Sequence, residues 1–258
     1  MTMPIQHKFI QTNFGTGFET HNAILDITPY KPEIMIIGTF NPDTPNSNYA
    51  DFFYGRNYFW TGFKNLFIHN RIELQGTRMP KHGKPKKPLN PDLDKIKEIC
   101  QTLKLTFADL IAEVLHNETP DYQILDNDNV CFKNRTFNLI QDDKKGQIDG
   151  LVQLHKLNQV KWSTKYIIKY LCENPTIKTV YLTRQAKGIW LEQWNEIIKD
   201  ECLQGIAFTN IFTPSGQGKP VLNSMPRLLK HWVHNTNPNF GKLDNNWLRA
   251  NNVNLNNF

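Results

Sequence analysis

The sequence predicts an α/β fold: a three-layer α/β/α sandwich with a central, mostly parallel four-stranded sheet. Three observations lead there. Four short runs have strand composition: Ile34 to Ile37, Leu105 to Ile111, Thr176 to Leu182 and Ile206 to Phe212. The first is apolar without a break, as in a strand covered on both faces. Stretches with helical apolar spacing alternate with these runs, and strands alternating with helices imply a parallel sheet between two helical layers.

Taken in order, residues 1–32 read as a lead-in with a short helix or irregular packing, closed by Pro29 and Pro32. The strand 34–37 stops at Gly38, and a polar turn with an Asn41-Pro42 dipeptide follows. A helix is expected from about Tyr58 to His69, where Phe59, Phe63, Leu66 and Phe67 fall near helical spacing. Residues 71–91 (RIELQGTRMPKHGKPKKPLNP) form a basic, Pro- and Gly-rich loop insertion. It is either a solvated excursion or an arm that neutralises phosphates.

Helices are predicted over Leu93 to Leu103, Lys161 to Cys172, Gln185 to Ile198 and Leu222 to Val233. Asp109, inside the second strand run, reads as a helix cap or a cleft carboxylate, capping being the simpler role. Residues 116–150 are polar and carry no clear period, and the Asn-rich tail from Asn235 reads as loosely packed. The 258 residues suffice for one large domain spanning 1–258, with the 71–91 insertion inside it.

The net charge of +6 suits a phosphate-rich partner. Met1 to Phe18 lacks the apolar segment of a secretory signal, and no run reaches membrane-spanning length. A cytoplasmic protein is expected, or a nuclear one if the source is eukaryotic, with no membrane partner. The four cysteines, Cys100, Cys131, Cys172 and Cys202, are scattered without a CxxC pair. Reduced thiols are expected, with no metal site and no disulfide.

Ligands of open parallel sheets bind beyond the carboxyl ends of the strands. Two loops there have unusual content: GTFNPDT after the first strand and TPSGQG after the fourth. Neither is a P-loop or a GxGxxG turn, and Ser215 has no GxSxG elbow around it. The chain has no HExxH and no zinc-deaminase signature.

The segments IIGTFNP, FFYGRNYFW, TFADLI, IKTVYLT and IFTPSG together resemble the uracil-DNA glycosylase superfamily, nearest its mismatch-specific uracil-DNA glycosylase and hypoxanthine-DNA glycosylase branches. In that family an Asp or Asn directly before Pro closes the first motif, as in Asn41-Pro42. An Asn-x-Phe-Trp element matches Asn57 to Trp60, and a Pro-Ser loop matches Pro214-Ser215-Gly216. Thr213 stands where some members carry His or Asn.

The resemblance implies a monofunctional DNA glycosylase of base excision repair, a monomer without cofactor. Its substrate would be a deaminated base in DNA, uracil or hypoxanthine. Asn41 would hold the attacking water, with Asp43 as the alternative activator, and Asn57 would read the base edge. Backbone N–H groups of Gly38, Thr39 and Phe40 would stabilise the leaving base. Phe53 or Tyr54 would supply the stacking wall for the flipped base. Thr213, Pro214, Ser215, Gly216 and Gln217 would meet the DNA backbone. The alternative is a non-catalytic nucleic-acid-binding protein of the same fold.

Overall fold

The computed structural model describes residues 4–43, 52–55, 57–75, 91–115, 122–124, 130–132, 140, 150–214 and 225–258. Twelve strands occur among them. β1 (Ile5–Gln6), β2 (Asn13–Gly15), β3 (Phe18–His21), β4 (Ile24–Ile27) and β5 (Ile34–Gly38) precede the first helix. β6 (Leu105–Asp109), β7 (Ile111–Val114), β8 (Tyr122–Ile124), β9 (Val130–Phe132), β10 (Val160–Trp162), β11 (Thr179–Leu182) and β12 (Ala207–Asn210) follow.

The central sheet is not the four-stranded one expected. It has seven strands of mixed direction, in the order β12-β11-β5-β6-β4-β3-β2. β12, β11, β5 and β6 are mutually parallel neighbours, while β4, β3 and β2 extend the sheet antiparallel. A separate three-stranded antiparallel sheet has the order β1-β7-β10, and β8 pairs with β9.

The lead-in therefore contains strands, not a helix. Phe18 and Thr20 are buried while Glu19 and His21 are exposed, the alternation of a strand with one covered face. Gly17 sits at φ 83°, and an added Cβ there would strike Thr28 and lie 2.8 Å from Pro29 Cδ.

Every residue of β5 and β6 is buried, because helices cover both faces. Successive side chains divide between two cores. Ile34, Ile36, Leu105, Phe107 and Tyr181 enter one, with helices Phe59–Phe63, Leu93–Leu103, Met225–His234 and Asn245–Ala250. Met35, Ile37, Ala108, Val180 and Leu182 enter the other, with helices Leu151–Lys156, Thr164–Glu173 and Ile189–Ile198.

Helix Phe59–Phe63 passes directly into a wider π-helical turn, Lys64–His69, which ends at Asn70 in the left-handed region. Asn65 binds Glu73 and Leu74, so the start of the basic insertion folds back on this turn. Residues 76–90 of that insertion lie outside the described residues.

Two further expectations are corrected. Cys172 and Cys202 form a disulfide, with Cα atoms 5.8 Å apart. Packing of helix Thr164–Glu173 against the short helix Glu201–Leu203 brings them together, which no sequence spacing foretold. The Asn-rich tail is also not loose. Leu243, Leu248 and Val253 are buried in the first core, and Asp244 caps helix Asn245–Ala250 by accepting from Trp247 N at 2.7 Å. No helix among the described residues is long and apolar enough to cross a membrane.

Candidate functional site

β5 and β6 leave the sheet side by side, and the chain after each turns toward the N-terminal segment. Lys8 N donates to Asn41 O at 2.7 Å, and Asp43 N donates to Gln6 O at 2.8 Å. His7 and Pro42 form an antiparallel bridge. The polar corner after β5 is thus paired backbone, held against residues 6–8. Asn41 is 9% exposed. Thr39 and Phe40 are half-buried, Pro42 is buried and Asp43 is exposed.

Gly38 is required by close approach. An added Cβ would collide with Asp109 Oδ1 and lie 2.7 Å from the Tyr54 hydroxyl oxygen. Asp109 caps no helix; β7 follows it, after Leu110 N donates to Gly38 O and Ile111 N to Thr39 O. Its Oδ2 lies 2.6 Å from His7 Nε2, and both residues are buried. Phe9 N donates to His7 Nδ1 at 3.1 Å. Nδ1 is therefore the acceptor, and the ring proton sits on Nε2, donated to the carboxylate.

The Tyr54 hydroxyl lies 3.1 Å from Thr183 Oγ1, which donates to Ile37 O. Burial first and the Asp109 charge second hold the Tyr54 phenol well above its ordinary pKa, against a smaller opposing effect of the Thr183 hydrogen bond. It stays protonated and is a hydrogen-bond donor. Its ring stacks on Phe59 at 4.5 Å, and its backbone is left-handed at φ 62°.

Of the two candidate stacking residues, Phe53 is fully buried, with ring centroids 5.5 Å from His7, 5.2 Å from Phe9 and 5.8 Å from Phe107. It is core and not wall. Tyr54 and Phe40 retain partial exposure. The Asn57 side-chain Oδ1 accepts from Phe59 N at 2.9 Å, an Asx-type turn leading into the helix.

Tyr58 N donates to Pro214 O at 2.9 Å. This bond joins the aromatic segment to the chain leaving β12, where Thr213 is half-buried and Pro214 buried. Ser215, Gly216 and Gln217 lie outside the described residues. Among the described residues, one group, Cys172, Asp200 and Cys202, has metal-ligand atoms within 4.8 Å of one another. The disulfide uses both sulfurs, and Asp200 accepts from Cys202 N.

The structure brings together Gly38, Tyr54, Asp109 and Thr183 at the carboxyl ends of three parallel strands. It links the Asn41 corner to them through His7. Sequence reasoning missed His7 and Thr183. His7 lies 102 residues from Asp109, and a lone histidine beside a short strand carries no spacing signal. No family model, curated protein or solved structure matches the chain.

Proposed function

We propose that the protein is a monofunctional DNA glycosylase that hydrolyses the N-glycosidic bond of a deaminated base, uracil or hypoxanthine, in DNA. The observation that carries this reading is the bond from Tyr58 N to Pro214 O. With the Tyr54 hydroxyl against Thr183 and Gly38, it sets the asparagine corner, an aromatic segment and the proline corner at one end of the parallel strands.

Chemically, loss of the base leaves an oxocarbenium-like sugar and a negatively charged leaving ring. Backbone N–H groups of Thr39 and Phe40 are donors of the kind that stabilise such charge. Asn41 does not titrate; it acts by orienting water through its amide. Phe40 and Tyr54 supply the ring faces for stacking, worth about 1–3 kcal/mol per base. The net charge of +6 favours phosphate contacts.

The test is a panel of oligonucleotides, each with one modified base, scored for alkali-labile abasic sites. Cleavage at uracil or hypoxanthine is expected, and Asn41→Ala should lower the single-turnover rate by roughly 10²-fold. Full activity in that variant would remove the mechanism.

A second reading, a nucleic-acid-binding protein without catalysis, is favoured by the Asn57 side-chain oxygen being engaged by Phe59 N. Salt-dependent DNA binding with no abasic product from any base would select it.

A further inference from the structure

We propose that His7 is a positioning residue for the Asn41–Pro42 corner: segment 6–8 is a clamp, and the bond from His7 to Asp109 locks it. Only the activity arm of the test rests on the glycosylase reading.

The clamp has three backbone contacts. His7 N donates to Ala112 O at 2.8 Å, which fixes the segment to β7 on one side. On the other side Lys8 N holds Asn41 O, and Asp43 N is held by Gln6 O. Ile5 and Phe9, each buried in one of the two cores, flank the stretch, and within it Gln6 is exposed and Lys8 half-buried. Its central side chain is the exception, since His7 is 1% exposed.

Both ring nitrogens of His7 are used. Phe9 N fixes the ring's orientation through Nδ1, and Nε2 donates to Asp109 Oδ2. The other oxygen of Asp109 abuts Gly38, two residues before Phe40 and three before Asn41. One carboxylate thus touches the clamp with one oxygen and the strand leading into the corner with the other. An orientation error of about 1 Å at a water-holding amide costs roughly 10²-fold in rate, so the corner's backbone must be over-determined. A buried, charge-assisted hydrogen bond supplies that constraint.

The test compares the full-length wild type with His7→Ala, His7→Gln and Asp109→Ala. Amide hydrogen exchange is read at Lys8 and Asp43, with amides of β11 as the internal reference. Single-turnover rate and KM are read on the oligonucleotide that the wild type cleaves. His7→Ala should speed exchange at Lys8 and Asp43 by about tenfold or more while β11 is unchanged. Its rate should fall by about tenfold with KM within about twofold.

His7→Gln retains a donor for Asp109 and should recover most of both losses. Unchanged exchange in His7→Ala, or equal acceleration in β11, would overturn the clamp. So would a His7→Gln variant as loose as His7→Ala. Should His7→Ala fail to fold, His7→Gln and Asp109→Ala decide: wild-type exchange at Lys8 and Asp43 is expected in the first and at least about tenfold faster exchange in the second. The reverse pattern would overturn the proposal. A wild-type chain that excises no base ends the glycosylase reading and leaves the exchange comparison to judge the clamp.

Discussion

On one face of the seven-stranded sheet, Phe52, Phe53, Phe59, Trp60, Phe63, Phe107 and Trp232 are all fully buried; on the other, Met35, Ile37, Val180, Leu182, Ile167 and Ile197 form a mostly aliphatic core, with Trp190 and Trp194 buried among them. The same strands serve both cores, so the difference lies in what covers them. Residues 52–55 and 57–60 run from inside the aromatic core to the carboxyl ends of the strands, with Phe53 and Phe59 buried on either side of Tyr54. Large, stiff rings fix their neighbours' directions through few torsions. Among the described residues the mostly aliphatic face has no such arm, and the Cys172–Cys202 disulfide links two of its helices. The candidate site therefore meets both cores, Tyr54 from the aromatic one and Phe40 from the other.

The contrast is open to attack from either side. The largest effect is expected from Phe59→Ala, which removes a ring in contact with Tyr54, Trp60, Phe63 and Trp232. Denaturant unfolding should show a loss of about 3–5 kcal/mol, and, on the proposed glycosylase reading, excision should fall further than stability alone explains. Replacing both disulfide cysteines by serine reopens a 30-residue separation on the aliphatic face. That should cost about 3–4 kcal/mol in the same measurement with the excision rate per folded molecule unchanged. Equal damage to excision from the two changes would erase the distinction between the faces.

Gly38→Ala lies where the faces meet. Its methyl group drives against Asp109 and Tyr54, and overpacking of this kind costs about 1–3 kcal/mol. Single-turnover kinetics should show the rate falling well beyond that of a surface Gly→Ala control.

The smallest effect separates the faces by pH. Burial pushes Tyr181, on the aromatic side, and Tyr170, on the aliphatic side, each up to about 12. An unfolded phenol titrates near about 10. Deprotonation thus favours the unfolded chain: the stabilisation is complete below pH about 10 and is lost as pH rises through about 12. Tyr181→Phe and Tyr170→Phe should each flatten part of the alkaline fall in a melting-temperature profile, one for each core. Tyr181 also accepts the N–H of Asp244 at 2.9 Å, so its variant should lose some stability at neutral pH as well.

The parallel quartet was legible because its strands read as short apolar runs, and β5 and β6 at its centre are buried along their whole length, as at Ile34 to Ile37. β2, β3 and β4 were not, because strands of three or four residues with polar alternation, such as FETH, fall below any periodic signal. They widened the sheet to seven. In the site, Asn41 and Tyr54 stood out by their local dipeptide and aromatic setting. Phe53 carried the same local signal yet faces inward, since adjacent residues in an irregular segment point in directions that only the tertiary packing decides. The partnership of His7 with Asp109 is a contact between distant strands and has no local trace. The tail misled because its asparagines suggested solvent. In the fold Asn70 clasps Asn252 and Asn254, while Leu248 and Val253 anchor the turn between them.

Tyr54 is, among the described residues, the one aromatic with positive φ. Backbone of that kind costs a bulky residue roughly 1–3 kcal/mol relative to relaxed alternatives. Glycine or asparagine would relieve it, but neither would reach Thr183 and Gly38 with a phenol. A laboratory selection for heat resistance alone should accept such replacements and discard the hydroxyl, whereas a selection for turnover should retain the tyrosine at the expense of melting temperature.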